Sequence, residues 1–228
     1  MRLSRESLVS GVLVLSALAV AASVVRREFW GPYTERPASD PNAGPVFIDD
    51  WSQFLQDGIL VGDSSASVTI LEFTDLECPF CRRFHEKLMS FLERSNGSVA
   101  YVFVHYPLPM HRNAMPAARA AECAHAQGAF APFIDAVFRS QDSIGIKPWT
   151  AFALAVGVAD TTEFARCFAD ETLPRIERGQ AIATSIQAKG TPTVIINGWL
   201  LPVPPYDSLA DIVARILAGT RPYVRPRG

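Results

Sequence analysis

The sequence predicts an α/β fold in which a block of helices is inserted between the strands of one sheet. Ser67 to Phe73 and Val99 to Tyr106 are short apolar strand patterns, and an amphipathic helix pattern lies between them. From Pro107 to about Leu173 only helical patterns occur, and another strand pattern follows at Thr193 to Asn197. Because a strand resumes after the helices, we expect the helical block to be an insertion into a single domain.

The composition is that of a globular protein with one core. The chain has 228 residues, 49% of them hydrophobic, and a formal net charge of -2 without a long run of one sign. We therefore expect no nucleic-acid partner. Its four cysteines are Cys78, Cys81, Cys123 and Cys167. If the compartment is oxidising, two pairs are expected, Cys78 with Cys81 and Cys123 with Cys167.

Residues 1–27 are expected to be a signal anchor or a signal peptide. An uncharged stretch from Leu8 to Val25 is flanked by arginines on both sides. As a helix it rises about 27 Å, slightly less than the roughly 30 Å of a bilayer core. Small-residue cleavage sites occur between Ala17 and Ala21, but the apolar stretch continues past them, which favours an uncleaved anchor. Either alternative predicts an extracytoplasmic location, in the periplasm or on the outer face of the cytoplasmic membrane.

Residues 28–45 are predicted to be a linker, since GPYTERPASDPNAGP carries four prolines and almost no large apolar residues. The folded domain is expected at 46–220, with its helical insertion at about 108–173 and a loose tail at 221–228. A short helix around Asp50 to Gln56 opens the domain.

The strand from Ser67 to Phe73 is nearly all apolar, as in a central strand covered on both faces. Glu72 is the exception. A carboxylate there lies either on an exposed edge or at a position chosen for its chemistry, and the sequence leaves both alternatives open.

The helix that follows the first cysteine pair begins with Pro79, which fits a first helical position because no N–H partner is needed there. The helical spacing buries Cys81 more than Cys78. Arg82 and Arg83 are interpreted as part of a solvated face, and His85 as a helix-surface histidine.

The inserted block and the C-terminal part contain further predicted helices. Asp160 followed by Glu163 resembles a capping box, and Asn197-Gly198 is typical of a hairpin turn leading to Trp199–Leu201. The helices are predicted at Asn113–Gln127, Ala131–Ser140, Pro148–Val156, Asp160–Ala169, Ile176–Ala188 and Ser208–Leu217.

Cys78 and Cys81 form a C-x-x-C pair at a helix N-terminus, where unpaired N–H groups and the helix dipole favour a thiolate at Cys78. The residue directly after Cys81 is not a histidine, which excludes c-type haem attachment. A zinc site needs two more ligands, and Cys123 and Cys167 are single and far apart, so zinc is disfavoured. We expect redox chemistry and no metal.

Three segments resemble one known family: EFTDLECPFC from Glu72, AAECAHAQGAF from Ala120 and GTPTVIING from Gly190. Over Val46 to Gly219 the chain resembles the thioredoxin superfamily, in its DsbA-like branch of exported thiol-disulfide oxidoreductases. The resemblance implies a thioredoxin fold, a central mixed sheet flanked by helices, with an inserted helical subdomain. It also implies that the redox-active disulfide Cys78–Cys81 serves in place of a cofactor.

The resemblance also implies residue roles. Cys78 is then the attacking, partly exposed cysteine and Cys81 the resolving one. Glu72 matches a buried carboxylate that relays a proton to or from the second cysteine. Pro192 matches a cis-proline beside the disulfide, and Thr191 offers its backbone to an extended substrate segment.

Pro79 and Phe80, between the cysteines, complete the expected substrate-binding set. The DsbA pattern has a histidine where this chain has Phe80. A phenyl ring donates neither charge nor a hydrogen bond to a thiolate, so a less oxidising couple is predicted than with histidine.

The expected function is to introduce disulfides into exported proteins, whose thiols are the substrates. The expected recycling partner is a membrane quinone-linked thiol oxidase, or else a reducing membrane protein. A disulfide reductase or isomerase of the same fold stays an alternative, as does a noncatalytic protein-binding or holdase module. Cys123 and Cys167 are either a structural disulfide that joins two helices or two unpaired core residues.

Overall fold

The computed structural model describes residues 44–170, 173–202 and 204–222. The predicted membrane segment at 1–27, nearly all of the predicted linker and most of the predicted tail lie outside the described residues. No helix within the described ranges has the length and apolar character needed to cross a membrane.

Six strands and seven α-helices make up the described fold. The strands are β1 Val46–Phe47, β2 Ile59–Val61, β3 Val68–Thr74, β4 Val99–His105, β5 Thr193–Ile196 and β6 Trp199–Leu200. The helices are α1 Pro79–Arg94, α2 Ala114–Ala126, α3 Phe130–Arg139, α4 Trp149–Ala155, α5 Thr161–Ala169, α6 Pro174–Ser185 and α7 Leu209–Leu217. Two 3-10 helices occur at Trp51–Asp57 and Gln141–Ser143.

All six strands form one mixed sheet in the order β1-β6-β5-β3-β4-β2. The central strand β3 runs parallel to β4 and antiparallel to β5. The predicted mixed sheet is confirmed. Glu72 pairs with Phe103 on one side and Val194 on the other, so of the two alternatives for this carboxylate the exposed edge is wrong.

The sheet is covered on both faces because successive side chains of a strand point to opposite sides. On one face Ile70 and Tyr101 pack with α1, α7 and the inserted helices. On the other face Leu71 and Val102 pack with α6 and the first 3-10 helix. Gly179 allows α6 to lie directly on β4, since a Cβ atom at this position would be 2.3 Å from the His105 carbonyl oxygen.

The helices α2 to α5 form the predicted insertion between β4 and the C-terminal part of the sheet. A disulfide between Cys123 of α2 and Cys167 of α5 joins two of them, so of the two alternatives for these cysteines the structural disulfide is present. Asp160 caps α5 by accepting a hydrogen bond from the Glu163 N–H at 2.8 Å. The Glu163 carboxylate bonds Arg166 instead of the Asp160 backbone, so only half of the predicted capping box forms.

The hairpin prediction is confirmed, because β5 and β6 pair across Asn197 and Gly198, both with positive φ as this turn requires. The strands β1 and β2 were not predicted. With two and three residues they are too short to produce a recognisable alternation of apolar and polar side chains.

The prediction of a surface position for His85 is wrong. His85 is only 2% exposed, and its ring lies 4.6 Å from that of Phe138 and 3.5 Å from an oxygen of Asp135. Helix α3 of the insertion covers this side of α1. The spacing of apolar residues in α1 cannot show this tertiary contact. Burial lowers the pKa of His85.

Candidate active site

The two cysteines lie in the loop from β3 into α1 and in the first turn of that helix. Cys78 is the N-cap residue and has an extended backbone conformation, and Pro79 is the first helical residue. This is the arrangement predicted from the sequence. It directs the unpaired N–H groups of the helix start towards the sulfur of Cys78.

Both cysteines are free thiols in the structure. Cys81 is fully buried, and Cys78 is only 3% exposed, so the expectation of a partly exposed Cys78 is wrong. The segment at Thr191 covers it, and the Cys78 Sγ donates to the Thr191 carbonyl oxygen at 3.4 Å. This neighbour is more than a hundred residues away in sequence, so the resemblance that implied a partly exposed Cys78 could not show that Thr191 covers it in this chain.

The two thiols have opposite acidities. A hydrogen bond from the Cys81 side chain is the main reason that the pKa of Cys78 falls to about 6. Hydrogen bonds from the Thr191 side chain and from the backbone of Cys81 and Phe80 lower this pKa further. Burial raises the pKa of Cys81 well above its ordinary value, and the bond to Cys78 and the charge of Glu72 raise it further. Cys78 therefore carries the thiolate near neutral pH, and Cys81 keeps its proton.

Glu72 is 1% exposed in the middle of the sheet. Its Oε2 accepts a hydrogen bond from the Tyr101 hydroxyl at 2.8 Å, whereas its Oε1 has no hydrogen-bond partner among the described residues. Burial raises the pKa of Glu72 to about 8. A carboxyl group with this pKa can both give and take a proton near neutral pH.

The Thr191-Pro192 peptide bond is cis, as the resemblance implies. It precedes β5, whose first residue Thr193 pairs with Phe73 on the central strand. This pairing brings the Thr191 carbonyl to the sulfur of Cys78.

Phe80 is an exposed large hydrophobic residue of α1, with 61% of its surface accessible. Its carbonyl oxygen accepts a hydrogen bond from the Tyr206 hydroxyl at 3.4 Å. Pro79 is also exposed. The two residues between the cysteines thus form the outer surface beside the sulfurs, where a substrate segment passes if it reaches Cys78.

Asp75, His111 and Gln141 are among the residues of the site that were not singled out from the sequence. The Gln141 side-chain amide donates to the carbonyl oxygens of Leu76 at 2.8 Å and of Cys78 at 3.0 Å. His111 Nδ1 lies 2.7 Å from an oxygen of Asp75. Asp75 stands inside the motif EFTDLECPFC, so the signal was available there, whereas His111 and Gln141 reach the site only through the fold.

The structure therefore brings Cys78, Cys81, Glu72, Thr191 and Pro192 into one site. Cys123 and Cys167 are bonded to each other in the insertion and do not belong to it. Among the described residues, no group of three or more His, Cys, Asp or Glu side chains has the arrangement needed to hold a metal ion.

Comparison with known proteins agrees with this geometry. The sequence model of the family described as thioredoxin matches residues 55–213. The oxidised BdbD of Bacillus subtilis has a similar fold, with a TM-score of 0.65 and 19% identity over 78% of this chain and 97% of that one. A thioredoxin-like oxidoreductase from Silicibacter pomeroyi is 27% identical over 71% of this chain and 93% of that one, with a TM-score of 0.60. The DsbA2 of Pseudomonas aeruginosa is 29% identical, covers 69% of this chain and 91% of that one, and has a TM-score of 0.51.

Curated relatives share the same region. One named Na(+)/H(+) antiporter NhaA 1, from Mycolicibacterium gilvum, is 31% identical over 141 residues, which are 60% of this chain and 23% of the relative. The chain spans about a quarter of the length of the curated relatives that it matches. The thioredoxin fold with a helical insert is confirmed, and this DsbA-like fold supports thiol-disulfide exchange.

Proposed function

The chain belongs to the thioredoxin family, and from this premise we propose that it is an extracytoplasmic thiol-disulfide oxidoreductase that introduces disulfides into exported proteins. The observation that carries the proposal is the sulfur of Cys78, the N-cap residue of α1, which contacts the Thr191 carbonyl at 3.4 Å. A sulfur held there is a nucleophile or leaving group beside a backbone that pairs with an extended peptide.

The reaction starts from the enzyme with a Cys78–Cys81 disulfide. A substrate thiolate attacks the Cys78 Sγ, the bond to Cys81 breaks, and Cys81 leaves as a thiolate that takes a proton. The second substrate thiolate then attacks the substrate sulfur of the mixed disulfide and releases Cys78 as a thiolate. The substrate loses two electrons to the enzyme, which ends with both cysteines reduced.

Glu72 is the proposed proton donor to Cys81. The pKa of the Cys81 thiol is raised by burial, so its leaving thiolate needs a proton at once. The pKa of Glu72 is about 8, so its carboxyl group is mostly protonated at neutral pH. In the reverse reaction the same carboxylate takes the proton back.

The acidity of Cys78 supports oxidation as the direction. A thiolate that is stable at neutral pH stabilises the reduced enzyme, and a stable reduced form makes the disulfide form a stronger oxidant. The apolar stretch from Leu8 to Val25 supports export and anchoring to the membrane. A membrane quinone-linked thiol oxidase is the proposed acceptor of the electrons from Cys78 and Cys81.

The test is a single-turnover reaction of the oxidised full-length chain with a reduced dithiol peptide. We expect one peptide disulfide per chain and none with Cys78→Ser. Cys81→Ser is mixed instead with the disulfide form of the peptide: its Cys78 thiolate attacks one peptide sulfur, the other leaves as a thiolate, and the chain stays on the peptide as a mixed disulfide because no Cys81 thiol releases it. Equal peptide oxidation by the wild type and by Cys78→Ser would contradict the proposal and favour the noncatalytic binding module.

A disulfide reductase or isomerase is the second candidate, and Phe80 is the observation that favours it. Its exposed ring supplies neither a charge nor a hydrogen-bond donor to the Cys78 thiolate. If the lack of a charge and a donor at Phe80 makes the reduced form unstable enough, the reduced chain transfers electrons to peptide disulfides faster than the oxidised chain removes them from dithiols. Measuring both rates with the same peptide in its two redox forms decides between the two directions.

A further inference from the structure

We propose that His111 is a positioning residue of the cysteine loop, and that its imidazolium, held on the buried Asp75 carboxylate, stabilises the Cys78 thiolate from outside helix α1. The inference rests on the proposed function, because it assigns His111 a part in the redox balance of Cys78 and Cys81. Nothing in the sequence singled out this residue.

The Asp75 carboxylate is the centre of the arrangement. Its side chain has no exposed surface and accepts three hydrogen bonds. The donors are the N–H of Glu77 at 2.8 Å, the N–H of Leu108 at 2.9 Å and Nδ1 of His111 at 2.7 Å. The first holds the cysteine loop, and the other two hold the segment that follows β4. Asp75 therefore fastens these two segments together.

The backbone of Asp75 links this carboxylate to both sulfurs. Its N–H points to the Cys81 Sγ at 3.5 Å, and its carbonyl oxygen accepts a hydrogen bond from the Cys78 N–H at 3.0 Å. If the contact between His111 and the Asp75 side chain changes, the backbone of Asp75, which bonds both cysteines, can change its position as well.

A buried carboxylate requires a charged or hydrogen-bonding partner, because its desolvation is costly. His111 supplies that partner and remains partly open to solvent, with 23% of its side chain exposed. Burial lowers the pKa of His111, but the hydrogen bond to Asp75 and the charges of Asp75, Cys78 and Glu77 raise it by more. Arg112, the next residue in the chain, is a further charged neighbour.

The charge of Cys78 is one of the groups that raise the pKa of His111, and a thiolate that favours the imidazolium is itself favoured by it. Beyond the N–H groups at its start, helix α1 offers little in its place. Phe80 is apolar, and Arg82 is engaged with Glu86 at 3.5 Å and Asp142 at 3.8 Å. The segment after β4 thereby supplies a histidine charge that the active-site helix of this chain lacks.

The experiment measures the equilibrium constant for oxidation of the reduced full-length chain by glutathione disulfide, which gives the Cys78–Cys81 disulfide and two glutathione thiols. It is run from pH 6 to pH 9 for the wild type, His111→Gln, His111→Lys and the control His125→Gln. Glutamine retains a donor for Asp75 without the charge, and lysine retains the charge at every pH in this range. The pKa of His125 is lowered by burial, so this control removes a histidine that carries less charge than His111 over the same pH range.

We expect the constant of His111→Gln to exceed that of the wild type by up to about threefold between pH 6 and pH 7, the scale of a screened interaction between two unit charges. The difference should shrink towards pH 9, as His111 loses its proton in the wild type. His111→Lys should match the wild type at pH 6 and remain below it at pH 9, and His125→Gln should follow the wild type throughout.

A merely structural role for His111 predicts a difference that does not change with pH, which would overturn the proposal. Equilibrium constants of both His111 variants that equal the wild-type value at every pH would overturn the proposal as well, while leaving the proposed function intact. If His111→Gln does not fold, His111→Lys decides alone, and its equality with the wild type at pH 9 is the contradicting result. A wild-type chain that does not equilibrate with glutathione overturns both proposals.

Discussion

Phe80 stands between Pro79 and Cys81 in the first turn of α1, and its backbone N–H bonds the Cys78 sulfur. Its ring is 61% exposed and packs little against the rest of the chain. A substitution here therefore changes the surroundings of the thiolate without opening a cavity in the core. This makes Phe80 a suitable place to change the redox balance alone.

We predict that Phe80→His makes the couple more oxidising, because an imidazole can donate a hydrogen bond or a charge to the Cys78 thiolate. The expected change is about tenfold in the equilibrium constant with glutathione, equivalent to one pKa unit of thiolate stabilisation. Phe80→Leu is the matched control, since it removes the ring without adding a donor. A reduction potential of Phe80→His that does not move upward would contradict the prediction.

Glu72 couples stability to pH. Its pKa is raised from an ordinary value of 4.5 to about 8 in the folded chain because of burial. A raised carboxyl pKa means that the folded state binds the proton more tightly than the unfolded state does. The stability that this provides is complete below pH 4.5 and is lost as the pH rises through 8.

We predict that between pH 5 and pH 8 the wild type loses on the order of 3 kcal/mol of unfolding free energy that Glu72→Gln does not lose. Urea unfolding of both proteins at the two pH values measures this difference. Glu86→Gln, an exposed position on α1, is the control and should follow the wild type. Parallel losses in Glu72→Gln and the wild type would show that the buried carboxyl is not the source.

At the scale of elements, the helices were the most predictable part. The capping aspartate of α5 and the proline that begins α1 are local features, and the structure has both helices where these residues place them. The short strands β1 and β2 could not be predicted, because their pairing with β6 and β4 is what defines them. The burial of His85 was missed for the same reason: α3, a separate element, covers it.

The disulfide between α2 and α5 provides the prediction at this scale. Cys123 and Cys167 are 44 residues apart, and a loop of that length restricts the unfolded chain by roughly 3 to 4 kcal/mol of free energy. We expect Cys123→Ala/Cys167→Ala to lose that much stability in denaturant unfolding. Its single-turnover oxidation of a dithiol peptide should persist at a temperature where it is folded. Unchanged stability would mean that the bond does not staple the insertion.

At the scale of the molecule, the candidate site is assembled from distant parts of the chain. The sheet aligns Glu72 with the end of β5, and the cysteine loop meets Thr191 across that same junction. Motifs in the sequence identified these residues because each occurs in a recognisable local pattern. The contacts of Gln141 and His111 with the cysteine loop depend on how the helical insertion returns to the sheet, and no local pattern records that path.

The direction of electron flow and the compartment can be read together from the redox state of all four cysteines in the cell. The Cys123–Cys167 pair lies apart from the proposed exchange site and is bonded in the structure, so it reports on the compartment. Cys78 and Cys81 report on the direction, because a disulfide donor is kept oxidised and a reductase is kept reduced.

We predict that acid trapping of the chain, followed by alkylation with a large maleimide, leaves all four cysteines unmodified. Both pairs are then disulfides, as expected of an oxidase in an oxidising compartment. Two modified cysteines, assigned to Cys78 and Cys81 with the Cys123→Ala/Cys167→Ala variant, would instead favour the reductase or isomerase. Four modified cysteines would contradict the proposed location, because Cys123 and Cys167 stay as free thiols only in a reducing compartment.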